Sequence, residues 1–285
     1  MLKSNISLPS AAGKPVLLDL HYPENPASPP PVAVFFHGFK GFKDWGWWRL
    51  GAEAFAAAGI AFLRCNFSHN GVTPEQPEDF ADLEAFGQNN YSRELADIRA
   101  VIDWLHLPET QRQYPTDPTR LTLIGHSRGG GIAIIAARED ARIRRLNTWA
   151  SVDGLDFLWH GRPELIESWR KNGVLFIPNA RTGQQMPLYF QLYEDFEKNA
   201  ARFDLPAALR ELTIPMLILH GSADTSVPPA AARRLLAWNP AAELRLIEGA
   251  DHVFGGRHPY PEADLPATAR ELVAASVAFC LGEQQ

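Results

Sequence analysis

Leu121-Thr122-Leu123-Ile124-Gly125-His126-Ser127-Arg128-Gly129-Gly130-Gly131 is the stretch on which the reading of the whole chain turns. Residues 121–124 form an apolar run of strand length that stops at Gly125. Beyond the glycines, Ile132, Ala133, Ile134, Ile135, Ala136 and Ala137 read as a buried helix. A serine therefore sits at the tip of a sharp strand-to-helix turn, in the pattern G-x-S-x-G. Such a turn strains the serine backbone and pushes the hydroxyl clear of the sheet, while glycines on either side let strand and helix approach closely. The unpaired N–H groups at the start of the helix point at the same spot, where negative charge develops in acyl transfer. As a bare string the pattern is weak, because turns rich in glycine and serine are common. Its setting between an apolar strand and an apolar helix gives it weight.

Working outward, strands and helices alternate. Strands are expected at residues 5–8, 16–22, 32–36, 60–66, 121–124, 146–152, 215–220 and 243–247. Helices are expected at residues 47–58, 91–107, 229–238 and 265–281, besides the one after Ser127. In 16–22, Leu18, Leu20 and Tyr22 alternate with polar neighbours, the pattern of a half-exposed strand. Residues 68–89 read as a long irregular connection. Residues 153–212 break the rhythm. They are too many for a simple crossover and carry Trp159, Trp169, Phe176, Tyr189, Phe190, Tyr193 and Phe196. They read as an inserted helical cover or lid, most of whose rings pack it onto the body. The whole, residues 1–285, reads as one domain of the α/β class. Alternation of this kind implies a mostly parallel eight-stranded sheet with right-handed crossovers and helices on both faces. Its ligand site then lies beyond the C-terminal ends of the strands.

Composition narrows the function. The chain has 285 residues, 46% hydrophobic and 21% charged, with a formal net charge of -6. That is an ordinary globular balance with ample material for a core, and the charge argues against nucleic acid or an anionic membrane as the main partner. No run is long and apolar enough to span a membrane, and residues 1–6 lack the apolar core of a signal peptide. The two cysteines, Cys65 and Cys280, lie in different expected elements and read as buried free thiols, which fits a reducing, cytoplasmic setting.

A serine hydroxyl needs a base within reach, and the base needs a partner that fixes its tautomer. His37, Ser127, Asp153, Asp224 and His252 all lie just past expected strand ends. His252, in the loop Gly249-Ala250-Asp251-His252 after strand 243–247, is the favoured base. His126 adjoins the serine but is expected to point away around the turn; His37 is expected to shape its own loop, and His220 to be structural. Asp224 follows the strand before the one that leads to His252, so the two loops can meet. Asp153 and Asp156 remain rivals for the same imidazole. Asp251 is a poorer one, since sequence neighbours seldom bond well through their side chains. Lys40 and Lys43 would favour an anionic substrate if they faced it, although lysines in such loops are more often solvated.

The order Ser127, Asp224, His252 with a G-x-S-x-G elbow resembles the α/β-hydrolase superfamily, over nearly the whole chain. His37-Gly38-Phe39 is similar to that family's oxyanion loop, Gly221-Ser222-Ala223-Asp224 to its acid loop, and Gly249-Ala250-Asp251-His252 to its histidine loop. Within it, the chain most resembles bacterial carboxylesterases of the cinnamoyl-esterase and dienelactone-hydrolase type. The resemblance implies a serine carboxylesterase with no metal and no organic cofactor, acting on a small-molecule ester. In that scheme Ser127, Asp224 and His252 are catalytic, and the backbone N–H groups of Phe39 and Arg128 receive the oxyanion. The side chain of Arg128 is then structural. A prolyl-peptidase-like activity shares the triad order, and a hydrolase scaffold kept only for binding is the non-enzymatic alternative.

Overall fold

Val32, Val34 and Phe36 alternate with Ala33 and Phe35, and all five are fully buried. The first three join one apolar cluster and the other two a second cluster on the opposite face of the sheet. A strand covered on both sides has no polar face, which is why this stretch is apolar throughout. The structure, a computed structural model, describes residues 1–283. Its main sheet holds β1 (Leu2–Leu8), β2 (Val16–His21), β3 (Pro31–Phe36), β4 (Ala61–Cys65), β5 (Asp117–His126) and β6 (Arg145–Trp149). After the hairpin of β7 (Val174–Pro178) and β8 (Gln185–Tyr189), the main sheet is completed by β9 (Met216–Gly221) and β10 (Glu243–Ile247). The order across the eight strands is β1-β2-β4-β3-β5-β6-β9-β10. The β1–β2 and β2–β4 pairs are antiparallel and the other pairs are parallel.

Helices α1 (Trp48–Ala57) and α10 (Ala267–Leu281) cover one face. The other is covered by α3 (Tyr91–Leu105), α5 (Arg128–Glu139), α8 (Leu205–Glu211) and α9 (Ala230–Trp238). The connection over residues 68–89 is less irregular than expected, because Asp82 accepts a hydrogen bond from the N–H of Ala85 and so caps a short helix, α2 (Leu83–Gln88). A further short helix, α4 (Pro108–Gln113), precedes β5. Between β6 and β9 the expected all-helical cover is instead mixed. Helices α6 (Pro163–Asn172) and α7 (Gln191–Lys198) flank the β7–β8 hairpin. Helix α6 stops at Gly173, whose φ of 73° is left-handed. The apolar run after it is too short for another helix and pairs with 185–189 across a turn. No helix among the described residues is long and apolar enough to cross a membrane.

Strand β2 departs most from expectation. Asp19 and His21 were expected on an open face, yet all six residues of β2 are buried. An ion cluster explains it. Asp19 Oδ2 accepts from Lys43 Nζ at 2.7 Å and Arg64 Nη2 at 2.8 Å. Asp44 accepts from the same two side chains at 2.6 and 2.9 Å. Arg64 Nε donates to His21 Nε2 at 3.2 Å, and burial with the adjacent Arg64 charge pushes the His21 imidazole down to about 3. With His21 neutral, two cations meet two carboxylates. Lys43, expected to be solvated, is 3% exposed. Removing one member leaves a buried charge uncompensated, which costs about 3–5 kcal/mol. Asp19→Asn should therefore lower the unfolding free energy by about that amount in urea titrations. A change below about 1 kcal/mol would mean the cluster is solvated in solution.

Candidate active site

The geometry at Ser127 begins with two glycines. A Cβ on Gly125 would lie 2.3 Å from the carbonyl oxygen of Gly129, and one on Gly129 would lie 2.4 Å from that of His37. Only glycine lets β5, α5 and the end of β3 come this close. Between them Ser127 adopts φ 55°, ψ -121°, in the half of the map that ordinary residues avoid. Its N–H donates to Trp149 O at 2.9 Å, tying the turn to the end of β6. Arg128 is the first residue of α5, so its N–H is among the helix's four leading donors with no partner inside the helix.

Strands β9 and β10 are parallel neighbours, with Gly221 opposite Ile247, so the loops after them lie side by side. Asp224 comes from the first and His252 from the second. His252 Nδ1 donates to Asp224 Oδ2 at 2.8 Å, and His252 Nε2 lies 3.0 Å from Ser127 Oγ. An ionised carboxylate only accepts, so the imidazole proton sits on Nδ1 and Nε2 is left to accept from the serine hydroxyl. Asp224 Oδ1 accepts from the N–H groups of Ser226 and Val227 at 2.8 and 2.9 Å. Burial pushes the Asp224 carboxyl up, but hydrogen bonds from His220, His252 and Val227 outweigh it and hold the group well below the usual carboxylate range. His220 is structural as expected: its Nε2 donates to Val227 O at 2.8 Å and lies 3.4 Å from Asp224 Oδ2.

The rival acids are engaged elsewhere. Asp153 pairs with Arg234, and Asp156 with His160 at 2.6 Å. Asp251 Oδ1 accepts from the N–H groups of Val253 and Gly255 at 3.2 and 2.8 Å. His37 shapes its loop as expected, with Nδ1 donating to Gly38 O at 2.9 Å. The Arg128 side chain is buried; it donates to Glu94 and lies over the Phe39 ring, 4.9 Å from its centroid. It thereby links the two residues whose N–H groups the family resemblance implies for the oxyanion.

His126 does not turn away. Its ring lies 4.9 Å from that of His252, and its Nε2 donates to the His252 carbonyl at 2.9 Å, bracing the histidine loop. Burial, reinforced by the nearby His252, pushes its imidazole down to about 3. The unfolded chain titrates this group near 6.5. Between those values the unfolded state binds a proton that the folded state refuses, so stability falls as pH drops. His126→Asn removes that loss. The stability gap between wild type and variant should shrink by up to about 1.4 kcal/mol per pH unit on acidification from about pH 6.5. A gap unchanged between about pH 7 and about pH 4.5 in urea titrations would show that His126 is not held neutral.

A cleft of about 320 Å³ opens beside Ser127 and His252. Its aromatic wall comes from Phe39, Trp45, Trp48 and Phe80, not from the rings of the inserted segment. Most of those rings pack on one another and on the body: Trp159 on Trp169, Tyr193 and Phe196, Phe190 on Tyr193, and both Trp159 and Phe196 on Tyr91 of α3, while Phe176 is exposed. The inserted residues that line the cleft are Asn179 and Arg181, in the turn of the β7–β8 hairpin. His258 lines it too, its Nδ1 accepting from the Gly46 N–H at 3.1 Å. His258, Asn179 and Arg181 had no motif to mark them.

Residues 33–265 match the α/β-hydrolase family, and the chain belongs to that family. Among curated relatives, 2-hydroxymuconate semialdehyde hydrolase of Pseudomonas sp. (strain CF600) is 31% identical over 160 residues, covering 47% of this chain and 53% of that protein. A probable isoprenylcysteine alpha-carbonyl methylesterase of Oryza sativa subsp. japonica is 24% identical over 256 residues, covering 82% and 54%. The chain thus spans about half the length of the curated relatives it matches. Est1E from Butyrivibrio proteoclasticus, solved with ferulic acid bound, superposes with a TM-score of 0.68 at 20% identity over 98% of both chains. At that identity the likeness is one of fold.

Proposed function

We propose that the protein is a serine carboxylesterase working through an acyl-enzyme on Ser127. The observation that carries this reading is the hydrogen-bonded relay from Asp224 Oδ2 through His252 to Ser127 Oγ, at 2.8 and 3.0 Å, at the edge of a cleft. Ser127 Oγ attacks the ester carbonyl carbon as His252 Nε2 takes its proton. The oxyanion is received by the N–H groups of Phe39 and Arg128. On collapse, the C–O bond breaks and His252 returns the proton to the departing alcohol. Water, deprotonated by His252, then attacks the acyl carbon and releases the acid, restoring the serine hydroxyl. No step calls for a metal or organic cofactor. In this reading residues 1–285 form one domain, residues 153–212 are its cover, and the buried thiols Cys65 and Cys280 suit the cytoplasm.

Matched ester and amide substrates test the activity. A panel of aryl and alkyl esters should be turned over, and amides of the same acids much more slowly. Comparable amide turnover would favour a peptidase, and turnover of neither on folded protein would favour a binding role.

A further inference from the structure

We propose that the cleft beside Ser127 takes an ester whose far end carries a carboxylate, received by Lys40 and Arg181 across an aromatic wall. This deepens the esterase reading and rests on it. Two basic side chains, Lys40 and Arg181, line the cleft, and no Asp or Glu lines it among the described residues. The chain as a whole carries -6, so the sign is reversed locally. Lys40 Nζ has no carboxylate partner among the described residues; it donates to Pro178 O at 3.2 Å. Arg181 Nη1 lies 3.1 Å from Asp79, but Asp79 is 61% exposed, and an exposed pairing is readily exchanged. Glu78 stands at the rim, 3.9 Å from His258 and 62% exposed. Asn179 adds a neutral donor: it is 7% exposed, lines the cleft, and its Nδ2 has no hydrogen-bond partner.

These groups come from two places. Lys40 lies on the loop after β3, next to Phe39, while Asn179 and Arg181 lie on the β7–β8 turn. The turn is held over the cleft by Gln184 Nε2 donating to Phe80 O at 2.9 Å and by Arg181 Nη2 donating to Glu78 O at 3.1 Å. A cleft with one sign of charge and low-dielectric walls focuses the field and concentrates the opposite charge. A guanidinium and an ammonium suit a carboxylate, and the rings of Trp45, Trp48 and Phe80 suit an unsaturated or aromatic spacer. At about 320 Å³ the space lies at the small end of ligand pockets.

The test compares two substrates of one shape: the methyl ester of a para-carboxylated phenylpropanoic acid and its para-carboxamide twin. The ester is insulated from the ring substituent, so intrinsic reactivity is equal. For wild type at low salt, kcat/KM for the carboxylate should exceed that for the twin by about tenfold or more, and the ratio should fall in about 0.5 M sodium chloride. In Lys40→Gln and Arg181→Gln the ratio should drop, and in the double variant it should approach one. A wild-type ratio of one or below overturns the subsite and leaves the esterase reading standing. If neither ester is turned over, that reading fails for this class. Calorimetric binding of both esters to Ser127→Ala then decides the subsite: tighter carboxylate binding supports it, and equal or weaker binding overturns it.

Discussion

Ser127→Ala should lower kcat for ester substrates by about 10⁶ while leaving the fold intact. The size of the loss follows from the geometry. Ser127 Oγ is the group at the tip of the turn within 3.0 Å of an accepting imidazole nitrogen, and an alanine methyl there cannot form the acyl-enzyme. Residual turnover would come from the remaining N–H donors and from substrate binding alone. Alanine keeps the Cβ and the N–H that donates to Trp149, so the turn need not move. The variant should unfold at the same urea concentration as wild type within error. Loss of activity together with loss of stability would place the serine's role in the turn, not in the chemistry. Loss of less than about tenfold would remove it as the nucleophile.

The second large effect is expected of Asp224→Asn, a fall in kcat of about 10⁴. Asparagine keeps an oxygen for the N–H groups of Ser226 and Val227, so the loop retains its anchors. What changes is the atom facing His252 Nδ1. An amide NH₂ there donates, so the imidazole must turn its lone pair toward it and carry its proton on Nε2. That nitrogen can then no longer accept from Ser127. The negative charge that stabilises the imidazolium is lost as well. Asp153→Asn is the control. Asp153 pairs with Arg234 and should change kcat by no more than about twofold. If Asp153→Asn cripples turnover and Asp224→Asn does not, the acid has been misassigned.

Much of this site lies in local signals that survive in one sequence. Gly125 and Gly129 bracket Ser127 because backbone must pass where a Cβ would sit, and that constraint writes itself as G-x-S-x-G. Asp224 and His252 follow consecutive strands of a parallel sheet, so topology brings them together once the strands are recognised. The contacts that sequence reading missed are non-local. Asp19 and His21 follow the alternation of an open strand, and they are buried only because Lys43, Asp44 and Arg64 arrive from elsewhere to neutralise them. The β7–β8 hairpin sits among helices, and its apolar run is too short for periodicity to tell strand from helix. His126 was expected to point away because backbone direction can be read at an elbow, whereas its bond to the His252 carbonyl depends on a loop 126 residues on. Arg181 carries no motif; only the folded hairpin brings it to the cleft.

The central claim is that Ser127 is an activated nucleophile in an open cleft. Intact-mass analysis after treatment with a fluorophosphonate, run on wild type and Ser127→Ala side by side, tests it most directly. One adduct on wild type and none on the variant is the predicted result. No adduct on folded wild type, or equal labelling of both proteins, would contradict it.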